Sequence, residues 1–79
     1  MTRLLRLAVV ARALGDYSPD YVRRIAADQG RPPQERRYPE ATHERFPPFI
    51  KDGNRRSYCI AAQTFDVWMA RRGRRWEAL

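Results

Sequence analysis

The sequence predicts a single domain over residues 1–79, mainly α-helical with a small β-hairpin. Two apolar stripes at helical spacing lie on either side of a tight turn at residues 15–18. Further along the chain, the turn signal Asp52-Gly53-Asn54 separates two short segments and predicts the hairpin. Because two helices joined by a tight turn precede a hairpin, the pattern indicates a winged helix-turn-helix.

The first helix is predicted over Ala8–Leu14, with Leu5 and Leu7 packing beneath it. Its apolar residues share one face: Val10, Ala11 and Leu14. Gly15 is expected to end this helix as its left-handed residue, which places the turn at residues 16–17.

The second helix is predicted to begin after Ser18, which suits an N-cap, with Pro19 at the first helical position. It continues to Gln29, and Gly30 is expected to end it. One face is expected to be buried: Val22, Ile25, Ala26 and Gln29. The opposite face carries Asp20, Arg23, Arg24 and Ala27, with Tyr21 and Asp28 on the flank.

An outer face with two arginines and a small neighbour suits a helix that enters the major groove of DNA. The alternative is an ordinary solvated face, which is the usual role of arginine on a helix. The tight turn before the helix favours the first interpretation, and Tyr21 is added to the expected contacts because it flanks this face.

Residues 31–48 form a long, proline-rich connection, with one short helical turn predicted from Pro39 to Arg45. Within it, His43 is expected to lie on the surface. Cys59 is expected to be a small core residue because it lies in an apolar strand, and the alternative is a nucleophile formed with His43. With one cysteine, one histidine and no metal-ligand spacing, the chain predicts no zinc site. Asp20 and Asp28 are interpreted as helix-end charges and not as paired catalytic acids. Since no catalytic or ligand-binding motif is found, no enzyme, cofactor, metal or small-molecule substrate is predicted.

The hairpin is predicted from strands over Phe49–Lys51 and Arg55–Ile60. Polar and cationic residues lie at its tip: Lys51, Asn54, Arg55 and Arg56. A basic tip is typical of a wing that follows phosphates or reaches into the minor groove. The alternative is a charged strand edge that resists aggregation.

The last helix is predicted over Ala62–Arg72, ended by Gly73. Its buried stripe is Phe65, Trp68 and Met69. Four arginines crowd its C-terminal end, where they can meet phosphates: Arg71, Arg72, Arg74 and Arg75. Trp76 follows them and is expected either to cap the core or to mediate self-association.

The net charge of +7 is spread along the chain, and fifteen of the sixteen basic residues are arginine. A basic surface favours a polyanionic partner, and double-stranded DNA is the leading candidate. The alternative interpretation of the preference for arginine over lysine is a GC-rich genome, which does not explain the excess of positive charge. No apolar run reaches the length of a membrane span, and the N-terminal residues are too rich in arginine for a signal peptide, so a cytoplasmic protein without membrane contact is expected.

The order of these pieces resembles the AlpA-like and excisionase-like small winged helix-turn-helix proteins of the MerR-type group. The matching segments cover most of the chain: 5–7, 11–15, 18–25, Phe46-Pro47, 50–58 and 65–69. One departure is that fifteen residues separate Gly30 from Phe46, whereas in the family Phe-Pro follows almost directly.

The resemblance implies a phage or mobile-element protein that binds short direct repeats, bends DNA cooperatively, and either steers an integrase toward excision or regulates transcription. It implies a major-groove helix with Ser18, Asp20, Tyr21, Arg23, Arg24 and Ala27, and a wing with Lys51, Asn54, Arg55 and Arg56. Two alternatives stay open. One is a transcriptional repressor without a role in recombination. The other is a protein-interaction module that docks on an acidic host protein through the long loop and Trp76.

Overall fold

The computed structural model describes residues 3–51 and 57–76. Within these residues the chain is mainly helical, with four α-helices and a small three-stranded antiparallel sheet. In chain order the elements are β1 (Leu4–Arg6), α1 (Leu7–Gly15), α2 (Pro19–Gln29), a 3₁₀ turn (Pro33–Glu35), α3 (Glu40–His43), β2 (Ile50–Lys51), β3 (Tyr58–Ala61) and α4 (Ala62–Arg71). This confirms the prediction of a mainly helical chain with a small hairpin and is compatible with a winged helix.

The turn between α1 and α2 differs from the prediction in one residue. Asp16, with φ 59° and ψ 38°, is the left-handed residue that ends α1, whereas Gly15 has φ 135°. Aspartate tolerates this conformation better than most residues. The N–H of Tyr17 donates to the carbonyl of Ala11 at 3.1 Å, which closes the helix end.

Helix α2 has the predicted bounds, but its ends are made differently from the expectation. Ser18 is the N-cap by its extended backbone, and its hydroxyl makes no capping hydrogen bond. Gly30 keeps right-handed helical angles (φ −78°, ψ −6°). The helix ends there because Pro32 and Pro33 follow and supply no N–H donors.

Strand β1 was not predicted and completes the sheet. The strand order is β1-β3-β2, so β3 is central and Leu5 lies opposite Ile60. The pairing of β2 with β3 confirms the hairpin, with Lys51 opposite Tyr58. The predicted turn at residues 52–54 lies outside the described residues.

The core lies between α1, α2, α4 and one face of the sheet. Its largest fully buried side chains are Phe65, Ile25, Ile60, Met69, Val10, Val22 and Pro47. Cys59 is buried in β3, as predicted. Trp76 packs on Phe65 with ring centroids 4.9 Å apart, and its Nε1 donates to Asp66 at 2.6 Å, so it caps the core as one of the two expectations stated.

Candidate nucleic-acid interface

Helix α2 separates into a buried and an exposed face, as the spacing predicted. Val22 and Ile25 are fully buried against the core. The candidate contact residues Ser18, Asp20, Arg23, Arg24 and Ala27 are all exposed. The outer face of α2 therefore presents two arginines to solvent with only the small side chain of Ala27 beyond them.

The two arginines of this face are in different states. Arg23 donates a hydrogen bond to Asp20 in an exposed ion pair one helical turn apart. Within residues 3–51 and 57–76, no hydrogen bond or ion pair engages the side chain of Arg24. Since an exposed ion pair contributes about 0–1 kcal/mol, Arg23 can exchange Asp20 for another anion. Arg24 can bind an anion without first breaking a described contact, whereas Arg23 must leave Asp20.

A groove of about 380 Å³ joins the C-terminal end of α2 to the base of the hairpin. Ala27 and Arg31 line it on one side, and Lys51 and Tyr58 line it on the other. The Lys51 Nζ lies 5.9 Å from the centre of the Tyr58 ring. The outer face of α2 thus continues into a concave surface with two cations, of which Arg31 has its Nε 3.9 Å from Asp28 Oδ1. The other predicted wing residues, Asn54, Arg55 and Arg56, lie outside the described residues.

The segment 31–45 is held on α2 by a buried carboxylate. Asp28 is 2% exposed and accepts hydrogen bonds from the backbone N–H groups of Arg37 (2.9 Å) and Tyr38 (3.1 Å). His43 Nε2 donates to the same carboxylate at 2.7 Å. The expectation that His43 lies on the surface is therefore wrong. Asp28 is a charge in the last turn of α2, as expected, but it is buried. The segment covers the flank of α2 that a helix considered alone would leave in water.

The hydrogen bonds to Asp28 change its acidity. Burial raises its pKa, but the bonds from Arg37, His43 and Tyr38 outweigh burial and lower the pKa of the carboxyl group from 3.8 to about 2. Asp28 is therefore an anion at neutral pH.

This lowered pKa predicts an acid-sensitive contribution to stability. The contribution of Asp28 is fully present above the unfolded value of 3.8 and is lost as the pH falls through about 2. Urea unfolding measured between pH 5 and pH 2 should give a free energy of unfolding that decreases with acid. In Asp28→Asn the decrease should be shallower. Parallel pH profiles for the two proteins would contradict the assignment.

Gln29 fixes the position of the hairpin relative to α2. Its side-chain amide donates to the carbonyl of Pro47 at 2.9 Å and accepts from the N–H of Phe49 at 3.0 Å. These two hydrogen bonds fix the backbone immediately before β2. Gln29 was predicted only as part of the buried face of α2, and its half-buried amide places the groove wall formed by Lys51.

Tyr21, one of the predicted contacts, is half-buried in an aromatic cluster. Its ring centroid lies 5.8 Å from that of Tyr17, 6.1 Å from that of Tyr38 and 5.9 Å from that of Phe46. Packing beneath segment 31–45 accounts for this side chain without a nucleic-acid contact.

The four arginines at the C-terminal end of α4 also divide into side chains with a partner and side chains without a described one. Arg72 lies 3.8 Å from the centre of the Trp68 ring and donates to the carbonyl of Glu44 at 3.0 Å. Arg74 donates to the carbonyl of Leu14 at 3.2 Å. Arg71 and Arg75 are exposed, and neither side chain has a hydrogen bond or ion pair in the described part of the chain. Arg72 and Arg74 therefore also connect α4 to the rest of the fold.

Sequence reasoning missed Arg31 as part of the candidate surface. Arg31 lies two residues beyond the end of α2 at Gln29, so helical spacing does not place it, and its position in the groove depends on how the chain leaves the helix.

Comparisons of the chain with protein-family models, with curated proteins and with solved structures found no match. Within the described residues, no helix has both the length and the apolar character to cross a membrane. The same residues include no group of His, Cys, Asp and Glu able to hold a metal ion.

Proposed function

We propose that this protein binds double-stranded DNA as a winged helix-turn-helix, with α2 as the recognition helix and the β2–β3 hairpin as the wing. The observation that carries this proposal is the groove shared by Ala27, Arg31 and Lys51, which joins the exposed face of α2 to the hairpin in one cationic surface. A helix and a wing that bind one duplex need such a continuous surface.

The dimensions and chemistry of α2 suit the major groove. Eleven residues give a helix about 16 Å long, and the groove of B-form DNA is about 12 Å wide and admits one helix. Arg24 is the side chain best placed to reach a base edge, since arginine donates two parallel bonds to guanine. Lys51 and Arg31 then lie beside the phosphate backbone, which fixes the register of the helix.

The particular role that we propose is that of an excisionase-type protein of a phage or mobile element. Copies bound side by side on repeated sites would bend the DNA so that an integrase can bridge it, with no covalent step by this chain. This part rests on the resemblance described above. The alternative is a transcriptional regulator that uses the same surface. An integrase gene adjacent to the gene of this protein would favour the excision role over the regulatory one.

The proposal is tested by titrating DNA from the protein's own locus and a scrambled duplex at two salt concentrations, with bending followed by gel mobility. We expect tighter, cooperative binding to the locus DNA that persists at the higher salt. Equal, weak binding to both duplexes that disappears as salt rises would mean that the charge is generic and would refute sequence-preferring recognition.

A second candidate function, docking on a protein, is favoured by a different surface. A groove of about 560 Å³ on α4 is lined by Val67, Trp68 and Arg71, and Val67 is 47% exposed. Trp76, expected as a contact in that case, is engaged with Phe65 instead. A docking module of this kind should ignore duplex DNA at physiological salt, so the same titration separates the two functions.

A further inference from the structure

A second cationic groove lies at the opposite end of α2, beside the turn that precedes it. Its volume is about 360 Å³, and three arginines from two parts of the chain line it: Arg45, Arg72 and Arg74. Tyr17, which directly precedes the N-cap of α2, lines the same groove. The long segment and the residues after α4 therefore meet at one place.

Two of these arginines are held in position without being neutralised. Arg72 donates to the carbonyl of Glu44, and its guanidinium stacks on Trp68. Arg74 donates to the carbonyl of Leu14. Backbone carbonyls and an aromatic ring orient a guanidinium but leave its full positive charge, so both cations are fixed before any ligand arrives.

The third arginine, Arg45, adds a charge that no described carboxylate pairs with. Within the described residues, the Arg45 side chain has no hydrogen bond or ion pair, and no carboxylate lies within 4 Å of the guanidinium nitrogens of Arg72 or Arg74. The one acid that lines the groove is Glu44. The lining thus carries three positive charges and one negative charge, which suits a phosphate group with one or two charges.

We propose that Arg45, Arg72 and Arg74 form a binding site for a phosphate group. The identity of the ligand rests on the proposed function: in a DNA complex, the ligand is a backbone phosphate beside the N-terminal end of α2. The resemblance predicts a much shorter connection between Gly30 and Phe46 than the fifteen residues of segment 31–45. The proposed site gives this segment a role, because the segment places Arg45 in the groove.

The experiment compares the wild type with Arg45→Gln, a change that removes one charge and no described hydrogen bond. Arg6→Gln is the matched control, because Arg6 is also an exposed arginine without a described side-chain partner and lies on β1, outside the groove. In one arm, inorganic phosphate is titrated at constant ionic strength with chloride as reference, and amide chemical shifts are recorded. In the other arm, the affinity for a DNA duplex is measured against salt concentration.

We expect phosphate to shift the amides of Tyr17, Arg45 and Arg72 in the wild type and in Arg6→Gln, but not in Arg45→Gln. We also expect Arg45→Gln to bind DNA about tenfold more weakly, with the salt slope reduced by about 0.9. Phosphate shifts with an unchanged DNA slope would support the site and assign it to a free phosphate. Absence of phosphate shifts in the groove would overturn the site, and absence of DNA binding by the wild type would refute the proposed function alone.

Discussion

Replacement of Arg24 by alanine is expected to weaken binding to the preferred DNA site by about 1–3 kcal/mol, or about 5- to 150-fold in Kd. Arg24 is exposed on the outer face of α2, and no described residue engages its side chain. A bidentate contact to guanine would be lost, and the preference for that base should be lost with it. Competition titrations with single-base variants of the site measure both effects.

The matched control for this prediction is Arg23→Ala on the same face. Arg23 must first leave Asp20, so its removal should cost less affinity and should leave the base preference intact. Equal losses for the two variants on every sequence would mean that both arginines contact only phosphates. Unchanged affinity and preference in Arg24→Ala would contradict its role in recognition.

Replacement of Asp28 by alanine is expected to lower the melting temperature by at least about 10 °C. Three donors that now meet the buried carboxylate, from Arg37, Tyr38 and His43, would be left without their acceptor. Segment 31–45 should separate from α2, and amide hydrogen exchange should accelerate first at residues 37 and 38.

Asp20→Ala is the control for this change, because it removes an exposed aspartate from the same helix. Its only described partner is Arg23, and the melting temperature should move by no more than a few degrees. A similar loss in both variants would mean that the effect comes from the charge balance of α2 and not from the anchoring of the segment.

The elements that depend on neighbouring residues could be predicted from the sequence. Helix α2 follows from a Ser-Pro start, an apolar stripe at helical spacing and Gly30 before two prolines, and its bounds were predicted correctly. The hairpin follows in the same way from its turn signal. In both cases the decisive residues lie within one or two turns of each other, so local conformational preference is enough.

The features that were missed depend on partners far apart in the chain. Strand β1 has only three residues, and its partner β3 lies more than fifty residues later, so no local pattern announces it. Asp28 and His43 lie fifteen residues apart, and no sequence motif links them. Prediction of their contact would have required knowing that segment 31–45 folds back onto α2. Buried polar pairs of this kind can be identified only from the folded structure.

The most direct test of the DNA-binding surface is an amide chemical-shift titration of the protein with a duplex that carries its preferred site. The proposed function predicts that the largest changes fall on Arg24, Ala27, Arg31 and Lys51, along the outer face of α2 and across the groove to the hairpin. Changes confined to the α4 surface around Val67, or none at saturating DNA, would contradict it.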